Sequence, residues 1–280
     1  MRENMKITYL GTGAAEGIPA MFCTCELCTK ARQEKHKEIR TRSQCVINDD
    51  LLIDFPADTY YHLLLNGIDI SKIKQIIITH SHQDHFYPED MALNSPSFSK
   101  SPQNKIQVYA NSTVINRWQE TINREYSGYD YSEYITFNKI ENLVSFRTGE
   151  YEITALKADH KKNEECFIYD IKYGSYRLLY ANDTGINLDP SVWDYFKTVH
   201  YDVVSMDCTG MNKEVGRYHM GIIDNIKFIR KLAETGTVDD KTNKIITHFS
   251  HFGGLSHQEL VELAKDLDFI VAYDGLQLTL

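Results

Sequence analysis

Through the first 80 residues the apolar positions fall in short runs, not in long helical stripes. KITYLG (residues 6–11) alternates apolar and polar side chains, the period of a half-buried strand. QCVIND and LLIDF read as two strands joined at Asp49-Asp50, a hairpin. ADTYYHLLLNG (57–67) reads as a helix closed by Gly67, and KQIIITH (74–80) as a short buried strand rich in β-branched residues. KIQVYA is a further strand, leading into the helix NSTVINRWQETINREY. YEITALKA follows as a strand, and CFIYDIKYGSYRLLYAND as a hairpin turning at Gly174-Ser175. The remainder predicts a helix near PSVWDYF, the strand YDVVSMDC, the helix GIIDNIKFIRKLAE, the strand NKIITHF, a helix opening at Ser256, and the strands FIVAY and LQLTL.

Strands come first, then strands mixed with helices, without strict βαβ alternation. That order predicts an α/β protein with two mixed sheets packed face to face and helices outside, not a doubly wound parallel sheet. No Pro/Gly/Ser linker divides the chain, so residues 1–280 read as one domain. SPSFSKSPQNK (95–105) and YSGYDYSEY (126–134) are expected as loop insertions at the mouth of the site. The tyrosines of the second are open to two readings, stacking on a sugar or base, or packing on one another. GTGAAEG (11–17) follows a strand, but its G-x-G-x-x-x-G spacing and the following Pro19 do not suit a dinucleotide loop. A tight turn that lets backbones pass closely is the reading it supports.

Composition narrows the class. With 42% hydrophobic and 25% charged residues the chain is ordinary globular protein, and its net charge of −9 argues against a basic surface made to grip nucleic acid. No apolar run approaches a membrane span and no secretion signal opens the chain, so a cytoplasmic location without membrane contact is expected. Three of the six cysteines crowd into CTCELC, which in such a chain reads as metal binding before it reads as a disulfide framework. Cys45, Cys166 and Cys208 lie in apolar strand patterns and are expected to fill the core.

HSHQDH (80–85) carries the chemistry. Its His80, His82, Asp84 and His85 stand at the end of a predicted buried strand, where a loop can curl them around a small volume. Imidazole and carboxylate suit zinc, manganese or iron. His160, Asp183 and His248 each close another predicted strand. Together these residues supply the inventory for two metal ions sharing one carboxylate.

The H-x-H-x-D-H motif and the later residues, in this order, resemble the metallo-β-lactamase-fold hydrolases. The resemblance implies the αββα sandwich. It implies one metal on His80, His82 and His160, a second on Asp84, His85 and His248, and Asp183 as the bridge. Asp54 in LLIDF would support these ligands without being one. GTGAAEGIPAMFCTCELC, MDCTG, YHMG and ITHFSH are together similar to the phosphodiesterases of the carbon–phosphorus lyase pathway, which open 5-phosphoribosyl 1,2-cyclic phosphate. That narrower likeness implies a structural zinc on Cys23, Cys25, Cys28 and His251. It also implies that His219, at the opening of a predicted helix, acts near the leaving group.

The expected function is hydrolysis of a small phosphodiester, a cyclic one among the candidates. A hydroxide generated between two Mn or Zn ions attacks phosphorus, and His219 donates the proton to the departing alkoxide. His219 and Asp84 are the catalytic candidates. The alternatives are RNA 3′-end processing, lactone or thioester hydrolysis by the same centre, and a zinc-stabilised binding module without activity. The expected partner is a small-molecule phosphodiester, with nucleic acid disfavoured and a homodimer allowed.

Overall fold

A computed structural model describes residues 4–102 and 105–280. Strands β1 (Lys6–Gly11), β2 (Gln44–Ile47), β3 (Leu51–Ile53), β4 (Gln75–Ile77), β5 (Ile106–Ala110) and β6 (Ile135–Lys139) form the first sheet. The second is made of β7 (Ser145–Thr148), β8 (Tyr151–Lys157), β9 (Phe167–Tyr173), β10 (Tyr176–Ala181), β11 (Val203–Asp207), β12 (Asn243–Thr247) and β13 (Ile270–Val271). β14 (Gln277–Thr279) returns to the first sheet and pairs antiparallel with β1. Each sheet is antiparallel at one side and parallel at the other, with β3 to β6 and β10 to β13 as the parallel halves.

Local sequence explains the tight connections. Between β2 and β3, Asn48 and Asp49 take left-handed backbone angles, which their short polar side chains tolerate. Gly174, with φ of 56°, turns the β9–β10 hairpin where the sequence predicts it. The GTG turn is the close approach that its glycines suggest. Gly13 bridges both Arg42 and Phe249, and a Cβ on Gly11 would lie 2.0 Å from the Arg42 carbonyl oxygen.

The helices are α1 (Glu26–Glu34), α2 (Thr59–Asn66), α3 (Pro88–Met91), α4 (Ser112–Glu125), α5 (Pro190–Phe196), α6 (Ile222–Glu234) and α7 (His257–Ala264). Ile7, Ile47, Ile153 and Tyr169 pack between the sheets. Val114 and Trp118 of α4 cover the outer face of the first sheet. Phe196 of α5 with Phe228 and Leu232 of α6 cover that of the second. Each such buried side chain stabilises by about 1.5–3 kcal/mol relative to exposure. Ser256 and Glu259 cap α7 reciprocally, as the SHQE pattern predicts. Cys45, Cys166 and Cys208 are buried.

Three expectations change in detail. His219 does not open a helix: α6 begins at Ile222 with Gly221 as its cap, and His219 sits in the loop before it. Of the first loop insertion, residues 103–104 lie outside the described residues. The tyrosines of 126–134 pack on one another, with Tyr131 5.0 Å from Tyr129 and 5.4 Å from Trp118 between ring centroids. None of the described residues of the two stretches lines the cavity beside the candidate metal ligands. Among the described residues, no helix is long and apolar enough to cross a membrane.

Candidate metal centre

Six strands converge at one rim of the sandwich. The loops leaving the carboxyl ends of β3, β4, β8, β10, β11 and β12 carry Asp54, His80, His160, Asp183, Asp207 and His248. Strands fix where such loops start while leaving their side chains free to meet. Three non-glycine residues of the rim, Asp54, Asp183 and His248, hold left-handed φ angles of 66°, 52° and 62°. Such angles cost of order 1–3 kcal/mol each and persist where the surrounding structure over-determines them.

The ligand atoms gather in two adjoining groups. His80 and His160 through Nε2 and His82 through Nδ1 form the first, with the His82 nitrogen 2.8 Å and 3.3 Å from the other two. Asp84, His85, Asp183 and His248, all buried, form the second. Asp183 spans both: its Oδ2 lies 3.7 Å from His80 Nε2 and 2.5 Å from His85 Nε2, and its Oδ1 lies 3.3 Å from His248 Nε2. This is the arrangement expected of a bridging carboxylate.

Supporting residues orient nearly every imidazole. His85 Nδ1 donates to Asp54 Oδ2 at 2.7 Å, and His160 Nδ1 donates to the Tyr218 carbonyl at 3.0 Å. The Thr79 hydroxyl donates to Asp54 and lies 3.0 Å from His80 Nδ1. The Thr209 hydroxyl donates to Asp207 and lies 2.9 Å from His248 Nδ1. Each contact leaves Nε2 with its lone pair turned to the centre, which is how proteins prepare histidine for a metal. Among the described residues, His85 Nε2, Asp183 Oδ1 and His248 Nε2 are buried and make no well-formed hydrogen bond, being crowded instead by other candidate ligand atoms. Buried polar atoms are rarely left so. Together with the nitrogen and oxygen donor set, they fit two divalent ions such as zinc or manganese.

Electrostatics divides neighbouring histidines. Burial, reinforced by His85, holds His80 well below the ordinary histidine value. For His85 burial works the same way, but Asp183, Asp84 and Asp54 outweigh it and hold the ring well above that value. His219 adjoins the second group, with Nδ1 3.0 Å from Asp207 Oδ2 and 3.2 Å from Asp183 Oδ1. Burial lowers it, yet Asp207 and Asp183 prevail and raise it to about 11.

Asp207, Thr79, Thr209 and Glu164 have functional positions that sequence reasoning did not assign. Asp207 accepts from the Met220 and Thr209 backbone amides as well as facing His219. Its place at a strand end, in MDCTG, was the available signal.

A separate group joins Cys23, Cys25, Cys28 and His251, as CTCELC and ITHFSH suggest. Cys25 Sγ lies 3.7 Å from His251 Nδ1. That contact and the Cys28 backbone amide lower the Cys25 thiol to about 6, whereas burial raises Cys28 to about 11. Three sulfurs and one imidazole match a closed structural zinc site.

A family profile described as "Anti-Pycsar protein Apyc1" matches residues 42–234. The chain belongs to the Apyc1 family. Its fold is the metallo-β-lactamase sandwich, shared by the solved structures that it resembles. A diphosphatase from the PhnP family superimposes with a TM-score of 0.73 at 20% identity, over 98% of this chain and 97% of that one. Zn²⁺-bound PqqB from Methylobacterium extorquens superimposes with a TM-score of 0.71 at 15% identity, over 98% and 99% of the two chains. Ribonuclease Z of Staphylococcus carnosus is 27% identical over 156 residues, 56% of this chain and 46% of the relative. The matches thus span about half the length of such curated relatives.

Proposed function

We propose that this Apyc1-family protein is a dinuclear-metal-dependent hydrolase that cleaves a small phosphodiester to a monoester and an alcohol. The observation that carries this is the convergence of the buried Asp84, His85, Asp183 and His248 ligand atoms beside the His80–His82–His160 group. Two divalent ions held there would lower the pKa of water and neutralise charge on a phosphoryl oxygen. His80, His82 and His160 would hold one ion, Asp84, His85 and His248 the other, and Asp183 would lie between them.

The protein's own groups supply the remainder. A cavity of about 630 Å³ opens on the His160 side, with Lys161, Lys162, Arg217, Asn187 and Tyr218 in its lining. Asp159, Glu164, Glu165 and Asp189 share that lining, so the cavity is polar with its cations balanced by carboxylates, and it is of small-molecule size. His219, 28% exposed in its side chain, has Nδ1 engaged by Asp207, which leaves Nε2 to deliver a proton to a leaving oxygen. Turnover of bis(p-nitrophenyl) phosphate by Mn²⁺- or Zn²⁺-loaded protein, with Asp183→Ala as the blank, tests the reaction class. Metal-dependent hydrolysis absent from the blank is expected. No turnover by protein shown to hold both ions would turn the reading to lactones and thioesters.

RNA 3′-end processing is the second reading, favoured by the likeness to ribonuclease Z. The net charge of −9 opposes it. Cleavage of a 3′-extended tRNA in preference to cyclic phosphodiesters would establish it.

The partner we propose is a second copy of the chain. Helix α2 turns Thr59 and His62 inward and leaves Tyr60, Tyr61, Leu64 and Leu65 between 50% and 70% exposed. An apolar groove of about 550 Å³ adjoins them, lined by Leu63, Ile70 and Met91. Leu93 lines the same groove, and one exposed apolar helix face can pack on its own copy. Sedimentation should give a dimer at micromolar concentration and a monomer for Leu64→Glu/Leu65→Glu. A monomeric parent protein would refute the pairing.

A further inference from the structure

Glu164 lies outside both ligand groups, yet its side chain is fully buried and accepts four hydrogen bonds. The Ser81 amide donates to Oε1 at 2.8 Å and the Ser81 hydroxyl to Oε2 at 2.6 Å. Asn111 Nδ2 donates to Oε1 at 2.9 Å, and Lys161 Nζ to Oε2 at 3.0 Å. Three segments therefore meet on one side chain: the loop after β4, the cap of α4 and the loop after β8.

The identity of these partners gives the arrangement its meaning. Ser81 stands between His80 and His82, and its carbonyl accepts from Arg117 Nη1. Both backbone groups of the residue joining two ligands are thus held by charged side chains. Lys161 directly follows His160, the third ligand of that group, and also lines the cavity. The Asn111 side chain meanwhile accepts from the Val114 amide and donates to the Glu165 carbonyl. A buried carboxylate is costly unless such partners satisfy it, and these partners belong to the backbone that carries His80, His82 and His160.

We infer that Glu164 is a positioning residue for the first metal ion, setting the separation of the His80–His82 loop from the His160 loop. It is not among the candidate ligand residues. Its carboxylate ties the Ser81 backbone amide to the loop after β8, and it holds Lys161 at the cavity wall. This rests on the metal-dependent reading of the site, but not on the reaction assigned to it.

The test counts ions and measures affinity, apart from turnover. Zn²⁺ and Mn²⁺ are titrated into metal-stripped protein against a competing chelator, for the parent chain, Glu164→Gln, Ser81→Ala and Asn111→Ala. Glutamine keeps the shape but presents an amide N–H₂ to donors. Glu164→Gln should weaken one of the two active-site ions about 10-fold or more, in the range found for groups supporting metal ligands, and leave the other ion and the Cys₃His ion in place. Ser81→Ala should weaken the same ion by less. Asn111→Ala, which removes the α4 cap and one donor to Glu164, should lower the melting temperature and weaken the same ion by less than Glu164→Gln. Unchanged affinity in both Glu164→Gln and Ser81→Ala would overturn the inference. So would weakening of all three ions in parallel with melting, the mark of general loosening. Should Glu164→Gln fail to fold, Ser81→Ala decides alone by the same criterion. Absence of phosphodiester turnover in the parent chain would sink the proposed reaction and leave the ion count standing.

Discussion

The two candidate metal regions use different ligand sets, imidazole with carboxylate in one and thiols with one imidazole in the other, and they do so in opposite settings. His80, Asp84, His85, Asp183 and His248 are at most 5% exposed and are approached by Asp54, Thr79, Asp207 and Thr209 from behind. Cys25 is exposed, Phe22 beside the cluster is 95% exposed, and His251 has only a 3.9 Å approach from Glu16 on its far side. In the first region the protein has already oriented the ligands, so an ion finds a prepared site. In the second, an ion would itself tie residues 20–28 to the turn after β12. Prepared geometry serves chemistry, whereas cross-linking serves stability.

The comparison breaks most decisively at Asp183. Asp183→Ala should lower metal-dependent turnover about a thousand-fold or more and reduce active-site ion content, while the Cys₃His ion stays bound. Metal analysis alongside kinetics checks this. Full turnover in the variant would remove Asp183 from the centre.

A second effect belongs to neither metal region but to a buried pair elsewhere in the fold. Burial pushes the Asp274 carboxyl up to about 6, against hydrogen bonds from Thr41 and Thr12. Burial also pushes His62 down to about 4, and the Thr41 hydroxyl links the two side chains. Between about pH 4 and 6 the folded chain binds more protons at Asp274 than the unfolded chain, so this group's contribution to stability falls as pH rises. At His62 the unfolded chain binds more protons between about pH 4 and 6.5, so its contribution rises. Each runs at up to about 1.4 kcal/mol per pH unit, and in the parent chain they offset one another. Relative to the parent, Asp274→Asn should gain stability from pH 4 to 6, and His62→Gln should lose it. Urea unfolding across that range reads the two slopes; equal slopes in all three proteins would exclude the linkage.

The smallest effect is expected at the exposed cluster. Cys25→Ser should release one zinc equivalent, lower the melting temperature by a few degrees, on the order of 1 kcal/mol, and expose residues 20–25 to protease. Active-site ions should remain. Loss of those ions together with the Cys₃His ion would mean that the two regions fold as one unit.

Much of this organisation was legible in the chain. Period-2 runs, the Gly174 hairpin and the Ser256–Glu259 cap are local signals, set by side-chain alternation and backbone preference. HSHQDH and CTCELC announce metal because ligands close in sequence must be close in space. Helix α2 was legible as a helix but not as one with its apolar face outward, since that depends on Gln44 meeting Thr59 and His62 across the fold. The tyrosine loop likewise needed Trp118 to decide between its two readings.

Sequence by itself indicated most of the elements, though not α1, α3, β6 or β7, and a candidate ligand inventory with Asp183 as its bridge. It did so because short-range periodicity and donor chemistry are properties of neighbouring residues. Tertiary structure alone decided that Asp207 faces His219. It alone set Glu164, 83 residues after Ser81, as the clamp on the loop joining His80 to His82. Those relations depend on which strand ends share a rim and on left-handed turns at Asp54, Asp183 and His248, which only the packed sandwich can hold in place.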